Sequence, residues 1–477
     1  MYPSPSTTGR RRWIAFAIAG AVAVGAIGFA GGRWWTENRY PMLKDPAFAN
    51  LDYTYKEIMQ DYLNGAKSSE LIHGAAEGMT ASLDDPYSEY FTGQQGEDYV
   101  QHFDDQIVGI GVEIRQEDGQ FIINSALKGA PAEQAGLLKG DAITAVDGVP
   151  MRGKTLSELV KQTRGVEGTK VKITIVRVGL TEPFDVTLIR KPVPIRTVTS
   201  KLLPGGVGMV QISRFAEKTD VEFNQAVDSL LDKGMKGLLL DLRMNPGGLV
   251  DSTIGIANRL VPKDKVLLQV VNKNGSRKIT YRSEQKEPWT IPIVVLIDES
   301  SASSAEVLAA ALRDSAGAKL VGVKSFGKGI VQTFRQFGDG SVLKLTESQW
   351  RTPSGKWIHE KGIEPDVKAV LPAYARLPVL PTDEVLKEGA YGQGVKTLEE
   401  MLMAVGYDPG NPEGIFDADT AAAVEQFQRD EKLTPTGMMS GRTAFKLMDR
   451  LRAKLAEDDP QVDTARDTLQ AIMTKQP

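Results

Sequence analysis

The sequence predicts a multidomain α/β protein, and three changes of pattern along the chain predict it. From Val207 to Val323 strands and helices alternate, from about Gln106 to Lys191 short strands are separated by glycine turns, and from Gly394 to Leu447 three short helices follow one another. Alternation of the first kind builds a largely parallel sheet with helices packed on it. Residues 192–372 are therefore expected to form an α/β core, 106–191 a β-rich domain and 393–450 a small all-α domain. A chain of 477 residues has room for that many cores.

Composition narrows the function. A hydrophobic content of 41% and a charged content of 25% are ordinary for globular material, and a net charge of -4 argues against a nucleic-acid-binding surface. The absence of cysteine excludes disulfides, thiolate nucleophiles and zinc sites built on thiolates. The three histidines, His73, His102 and His359, lie in no HExxH arrangement, and no GxSxG elbow occurs. No metal or cofactor is expected, and any catalytic base must be something other than histidine.

At the N-terminus, Arg10, Arg11 and Arg12 precede Trp13–Gly32, about twenty uncharged residues that suffice to cross a hydrocarbon core of roughly 30 Å. The arginines should stay cytoplasmic, which places the chain after Arg33 outside and Trp34 and Trp35 at the far interface. The expectation is a cytoplasmic tail over 1–12, a membrane anchor over 13–32 and an extracytoplasmic remainder. A signal peptide cleaved near Gly28-Phe29-Ala30 is the alternative. Residues 33–105 read as helical, with Leu51, Tyr55, Ile58, Met59 and Tyr62 on one apolar face suited to a core or a partner helix. Asp85-Pro86-Tyr87-Ser88-Glu89-Tyr90-Phe91 reads as a packed turn. The helical region and the C-terminal domain leave room for a homodimer.

The β-rich stretch opens with Ile107-Val-Gly-Ile-Gly-Val-Glu-Ile114 and continues through Pro131-Ala-Glu-Gln-Ala-Gly136, Gly140-Asp-Ala-Ile-Thr-Ala-Val-Asp-Gly148 and a helix over Leu156–Thr163. In that order these resemble a PDZ domain. The resemblance implies capture of a peptide C-terminus by strand addition, with backbone contacts around Gly109, Ile110, Gly111 and Val112. The plainer role for Gly109 and Gly111 is a bulge or tight turn.

In the core, the apolar run Ile291–Ile297 suits a strand buried on both faces, and the residues from Ala305 to Leu312 are strong helix formers. Ser300, Ser301, Ser303 and Ser304 thus sit at a strand-to-helix turn, where serine ordinarily caps the helix. So many serines exceed what one cap requires, and a helix N-terminus presents N–H groups able to hold an oxyanion. Leu242-Arg-Met-Asn-Pro-Gly-Gly-Leu249 and Ser325-Phe-Gly-Lys-Gly-Ile-Val-Gln332 are glycine turns that individually signify little.

Together, in this order and behind a PDZ-like domain, these three blocks resemble the carboxyl-terminal processing peptidases, the tail-specific serine proteases of the S41 family, which use a serine–lysine dyad. The similarity runs from about Leu51 to Val370. It implies that Ser303 is the nucleophile, Lys328 the base and Gln332 the residue orienting the lysine. It also implies an oxyanion site between the Ser304 N–H and one from Gly247 or Gly248. The chain departs from the family's Ala-Ser after the nucleophile by carrying Ser304-Ala305, which any backbone N–H donor tolerates.

The residue types suit the chemistry. A serine becomes nucleophilic when a base takes its proton, and a lysine can be that base if burial holds it neutral. Phe326 and the neighbouring apolar strands are expected to provide the burial, and a carboxylate beside Lys328 would oppose it. Gln332 lies four residues from Lys328, roughly 13 Å along a straight strand, so it reaches the lysine only if the chain bends.

Beyond the core, 373–392 reads as a linker. The 393–450 helices resemble a peptidoglycan-binding domain, with Leu398, Leu402, Phe416, Val424, Phe427 and Leu447 as its core. His359 reads as a turn residue, and 451–477 as a charged, helical, peripheral tail. The expected protein is a membrane-anchored serine endopeptidase that takes protein substrates by their C-termini and is held to the cell wall. The alternative is a catalytically inactive PDZ and wall-binding scaffold. Whether the PDZ domain delivers substrate or inhibits is left open.

Overall fold

The computed structural model describes residues 44–93 and 106–475 apart from 118 and 383, together with 32, 34–36, 38–40, 95–96 and 99. No described helix is long and apolar enough to cross a membrane; the expected anchor at 13–32 lies outside the described residues except for Gly32, and so does His102. The described residues fall into two units, one up to Thr92 with Gln336–Lys344 and one formed by the rest.

The first unit contains α1 (Phe48–Asp61), α2 (Ser68–Ala81) and β1 (Glu89–Phe91), whose Tyr90 stands opposite Leu343 in an antiparallel pair. The expected turn at Asp85 is present, its carboxylate accepting from the Tyr87 N–H at 3.0 Å and the Ser88 hydroxyl at 2.6 Å, and it launches a strand. The apolar stripe of α1 is not a core. No residue of the helix is buried, and Leu51, Met59 and Tyr62 are exposed.

The second unit begins with the β-rich domain: β2 (Gln106–Gly109), β3 (Val112–Glu117), β4 (Gln120–Ala126), α3 (Pro131–Gln134), β5 (Ala142–Val146), β6 (Val149–Pro150), α4 (Leu156–Thr163), β7 (Lys170–Val176), β8 (Phe184–Ile189) and β9 (Lys191–Pro194). Its antiparallel sheet runs β3-β4-β5-β7-β8, with β6 on β5, so β3 is an edge. β2 pairs with β9 and closes the two ends of the domain on each other. α4 starts at a capping box in which Thr155 and Glu158 satisfy each other's backbone N–H groups. Gly111 must be glycine, since at φ 73 a Cβ would lie 2.2 Å from that of Ala130, whereas Gly109 has room for one.

The core comes next, with β10 (Val198–Leu203), β11 (Val207–Ile212), α5 (Thr219–Asp232), β12 (Gly237–Asp241), α6 (Val250–Leu260), β13 (Val266–Asn272), β14 (Lys278–Arg282), β15 (Ile293–Ile297), α7 (Ser304–Ala316), β16 (Lys319–Gly322), β17 (Ile330–Gln336), β18 (Val342–Arg351) and β19 (Val367–Lys368). The main sheet has the order β10-β11-β12-β15-β16-β19, parallel except for β10. Because β11, β12, β15 and β16 are laid down in one direction, right-handed crossovers put α5, α6 and α7 on the same face. Phe223, Val227, Ile256, Ala257, Leu308 and Leu312 accordingly pack with Val210, Leu240 and Val295.

That leaves the opposite face of a fully apolar sheet uncovered, which a parallel sheet does not tolerate. The cover comes from far along the chain. After α8 (Gln393–Ala404), α9 (Ala418–Asp430) and α10 (Gly441–Glu457), which pack the expected core of Leu398, Leu402, Phe416, Val424, Phe427 and Leu447, α11 (Pro460–Met473) returns to the sheet. Ala465 and Leu469 are fully buried there against Val207, Met209, Leu239, Val294, Leu296 and Val321. The expected peripheral tail is thus corrected: it supplies the second layer of the core.

Candidate active site

β15 ends at Ile297, and the next six residues turn the chain into α7. Ser301 is buried and committed to that turn. Its hydroxyl donates to the Leu242 carbonyl at 2.8 Å and accepts from the Asp298 N–H at 2.9 Å. The Ser304 hydroxyl, also buried, donates to the Gly248 carbonyl at 2.8 Å. Ser303 differs from both, being half-buried on the wall of a cavity of about 490 Å³ that also meets Lys328, Gln332, Gly247 and Gly248. Its backbone has φ 52 and ψ -116, a conformation costing a non-glycine residue about 1–3 kcal/mol. The turn is held in place from both ends, by the Ala302 N–H on the Asn245 carbonyl at 3.0 Å and the Val307 N–H on the Ser303 carbonyl at 2.9 Å. A strained strand-to-helix turn of this kind presents a serine at its apex, and Ser303 is at the same time the N-cap of α7.

Glu306, to which the sequence assigned no role, is the hub of the site. It is fully buried, and one carboxylate oxygen accepts from the Ser303 N–H at 2.9 Å and the Lys328 N–H at 2.8 Å. The other accepts from the Ser325 hydroxyl at 2.5 Å and the Gly327 N–H at 2.8 Å. One side chain therefore fixes the serine turn and the lysine loop to each other. Burial pushes its carboxyl above the ordinary range, and the four hydrogen bonds draw it back only in part. The signal was present in the sequence as a capping-box spacing, a glutamate three residues after the serine.

The loop carrying Lys328 is pressed against the turn at 358–362. A Cβ on Gly327 would lie 2.7 Å from the Gly362 nitrogen, and one on Gly329 2.6 Å from the His359 nitrogen, so both glycines serve close backbone approach. The Lys328 carbonyl accepts from the Trp350 indole at 2.8 Å. Phe326 does not bury the lysine, contrary to expectation; it points outward and is 54% exposed. The apolar walls of the cavity are instead Leu268, Val307, Ile330 and Trp350, all buried. His359 sits in the turn and accepts from the Gly329 N–H at 3.4 Å. Gln332 lies on β17 and lines the same cavity as Lys328, while its amide donates to the Thr346 hydroxyl at 3.4 Å.

The glycine pair is resolved by its partners. The Gly247 N–H donates to the Asn245 side chain at 2.8 Å and is spent. Gly248 bridges to Phe215 through its neighbours, the Phe215 N–H donating to the Gly247 carbonyl at 2.9 Å and the Leu249 N–H to the Phe215 carbonyl at 2.8 Å. The N–H of Gly248 therefore faces away from Phe215, on the side where Ser304 meets its carbonyl. Neither glycine is replaceable: a Cβ on Gly247 would lie 2.9 Å from that of Ser303, and one on Gly248 2.0 Å from the Phe215 carbonyl oxygen. The Gly109–Val112 segment belongs to the β-rich domain and does not line this cavity. There the Ile110 side chain is buried in the domain core, and its carbonyl accepts from the Ala132 N–H at 2.9 Å.

Segments of the chain match known families. Residues 206–369 match peptidase family S41, 122–177 a PDZ domain, 391–447 a putative peptidoglycan binding domain and 36–94 the activating protease CtpB N-terminal domain. A solved structure to which the chain is similar is a photosystem II D1 C-terminal processing protease, at 28% identity and a TM-score of 0.43 over 73% of this chain and 93% of that one. The chain is 38% identical over 414 residues to a probable CtpA-like serine protease of Staphylococcus aureus (strain MRSA252), covering 87% of this chain and 83% of that protein. It is 41% identical over 429 residues to the carboxy-terminal processing protease CtpA of Bacillus subtilis (strain 168), covering 90% of this chain and 91% of that protein. Identity sustained over so much of both proteins means that the chain belongs to peptidase family S41, among the carboxy-terminal processing serine proteases.

Proposed function

We propose that the chain hydrolyses peptide bonds with Ser303 as nucleophile and Lys328 as base, taking protein substrates by their C-termini outside the cytoplasm. The observation that carries this reading is the single cavity onto which the strained Ser303, Lys328, Gln332 and the Gly248 turn all open. The Ser303 hydroxyl oxygen attacks the scissile carbonyl carbon as its proton passes to the neutral Lys328 amine. The N–H groups of Ser304 and Gly248 hold the oxyanion. Lys328 then returns the proton to the departing amine as the C–N bond breaks; water next attacks the acyl carbon as it gives a proton to Lys328, and that proton passes to Ser303 Oγ as the C–O bond breaks and the acid leaves. The apolar walls favour a neutral lysine by desolvating its charged form.

The free edge of β3, next to the Gly109–Val112 segment, supports strand addition by a peptide C-terminus. The match over 391–447 supports attachment to peptidoglycan, and the 13–32 run supports an anchor that leaves the rest of the chain outside. The scaffold alternative loses its ground, because the serine and lysine are both present at the cavity of a peptidase fold.

Ser303→Ala and Lys328→Ala should each abolish cleavage of an unstructured protein with a free C-terminus while the circular dichroism spectrum stays that of the parent. Full cleavage by either variant would sink the dyad.

A further inference from the structure

We propose that α11 is a positioning element of the active site, acting through Arg243 on the turn that presents Gly248. This rests on the oxyanion role proposed for Gly248. Arg243 leaves the end of β12 and is ringed by acceptors. Its guanidinium donates twice to the fully buried Asp241, at 2.9 and 2.8 Å. A third nitrogen donates to Gln461 at 2.9 Å and to Asp459 at 3.1 Å, both at the start of α11. Gln461, buried, passes the link on by donating to the Ala369 carbonyl at 2.9 Å. Asp459 also caps α11, accepting from the N–H groups of Gln461 and Val462 at 3.0 and 3.1 Å. Burial alone would make the guanidinium easier to deprotonate, but Asp241 and Asp459 hold it firmly charged.

The clamp matters because of the residues just after Arg243. Met244 adopts φ 58, a strained value for a non-glycine residue, with its N–H donating to both Asp298 oxygens at 3.0 and 3.1 Å. Asn245 is pinned by donating its side-chain amide to the Ile212 carbonyl at 2.8 Å, and Gly247 then lies against Ser303. The turn is therefore fixed at its far end by Ser303 and Phe215, in its middle by Asp298 and Ile212, and at its near end by Arg243. Release of the near end lets Gly248 drift from the aim that oxyanion stabilisation demands, where displacements well below a covalent bond length change rate. A helix that only covered the sheet would need neither the guanidinium nor its acceptors.

The 391–447 bundle lies in sequence between Ala369 and α11, so it is an insertion whose two ends are joined by the Gln461–Ala369 hydrogen bond. Substrate binding is not expected to involve the clamp, because Arg243, Asp459 and Gln461 do not line the cavity.

The test uses the full chain. Asp459→Asn keeps the helix cap, since asparagine caps as well as aspartate, but removes the charge facing Arg243. Combined with Gln461→Ala it should lower kcat about tenfold with KM unchanged. Asp459→Asn with Gln461→Glu, which returns a charged acceptor to Arg243, should recover most of that kcat. Leu469→Ala, which removes packing from the same helix without touching the clamp, should lower the melting temperature but leave kcat per folded molecule at the parent value. The inference is overturned if Asp459→Asn/Gln461→Ala turns over like the parent, or if Leu469→Ala at an equal melting temperature loses as much kcat. A cleaving Ser303→Ala variant would bring down the site reading first; a dead Ser303→Ala beside a fully active clamp variant would bring down only this one.

Discussion

Glu306 places a carboxylate against the backbone of Lys328, which in the base role proposed for it has to be neutral. An ionised Glu306 would favour the lysine cation, and the burial that raises its carboxyl works against that by favouring the proton-bearing form. A carboxyl that holds its proton more tightly in the folded than in the unfolded state stabilises the fold below its ordinary value of 4.5, and that contribution is lost as pH rises through the raised folded value. Glu306→Gln should remove this acid-side slope from a plot of stability against pH. It should also turn one two-bond acceptor into a donor facing two donors, at about 2 kcal/mol or roughly thirtyfold in kcat. Parent-level kcat with an unchanged slope would refute the hub role. At this scale the strand-to-helix turn carrying Ser303 and the glycine-flanked loop carrying Lys328 were legible, because the motifs that the sequence resembles mark both segments. That the Gly247 N–H is committed inside its own turn was not, because it depends on where the Asn245 side chain points. The outward turn of Phe326 was hidden for a similar reason, since the glycine at 327 sets a backbone direction that no pattern of apolar residues records.

Among the elements, α1 and α11 carry the same kind of sequence signal and meet opposite ends. Val462, Ala465, Leu469 and Ile472 recur at helical spacing, and so do Leu51, Tyr55, Ile58 and Tyr62. Periodicity announces that a face exists without saying what it meets. The face of α11 meets the bare side of a sheet, a vacancy deducible from strand order and crossover hand only after the order is known. Among the described residues little covers the face of α1: Leu51 is 41% and Tyr62 55% exposed. An apolar helical face left open in this way fits a second copy of the same helix. Sedimentation equilibrium of the chain should therefore give a dimer mass, and Leu51→Asp with Met59→Asp should return it to the monomer mass. A parent protein that sediments as a monomer would rule the dimer out.

For the whole molecule, the order of domains was readable from composition shifts, and the helical bundle's core was readable residue by residue. Its standing as an insertion was not, because sequence shows succession while the closing contact joins Ala369 to Gln461 across 92 positions. The proposed anchor is also tested at this scale. Protease added to intact cells should digest the chain down to its N-terminal residues, and full protection would overturn the orientation proposed from Arg10–Arg12. The late arrival of α11 has a further consequence during synthesis. Chains are made and folded from the N-terminus, so β11, β12, β15 and β16 are complete while the helix that shelters their second side is still unmade. Until then Leu239, Val294 and Leu296 form a sticky, unfinished surface. Under the proposed mechanism the Arg243 end of the turn carrying Gly248 also lacks its clamp until that helix is made, and a prematurely terminated copy leaves the second side of its sheet bare.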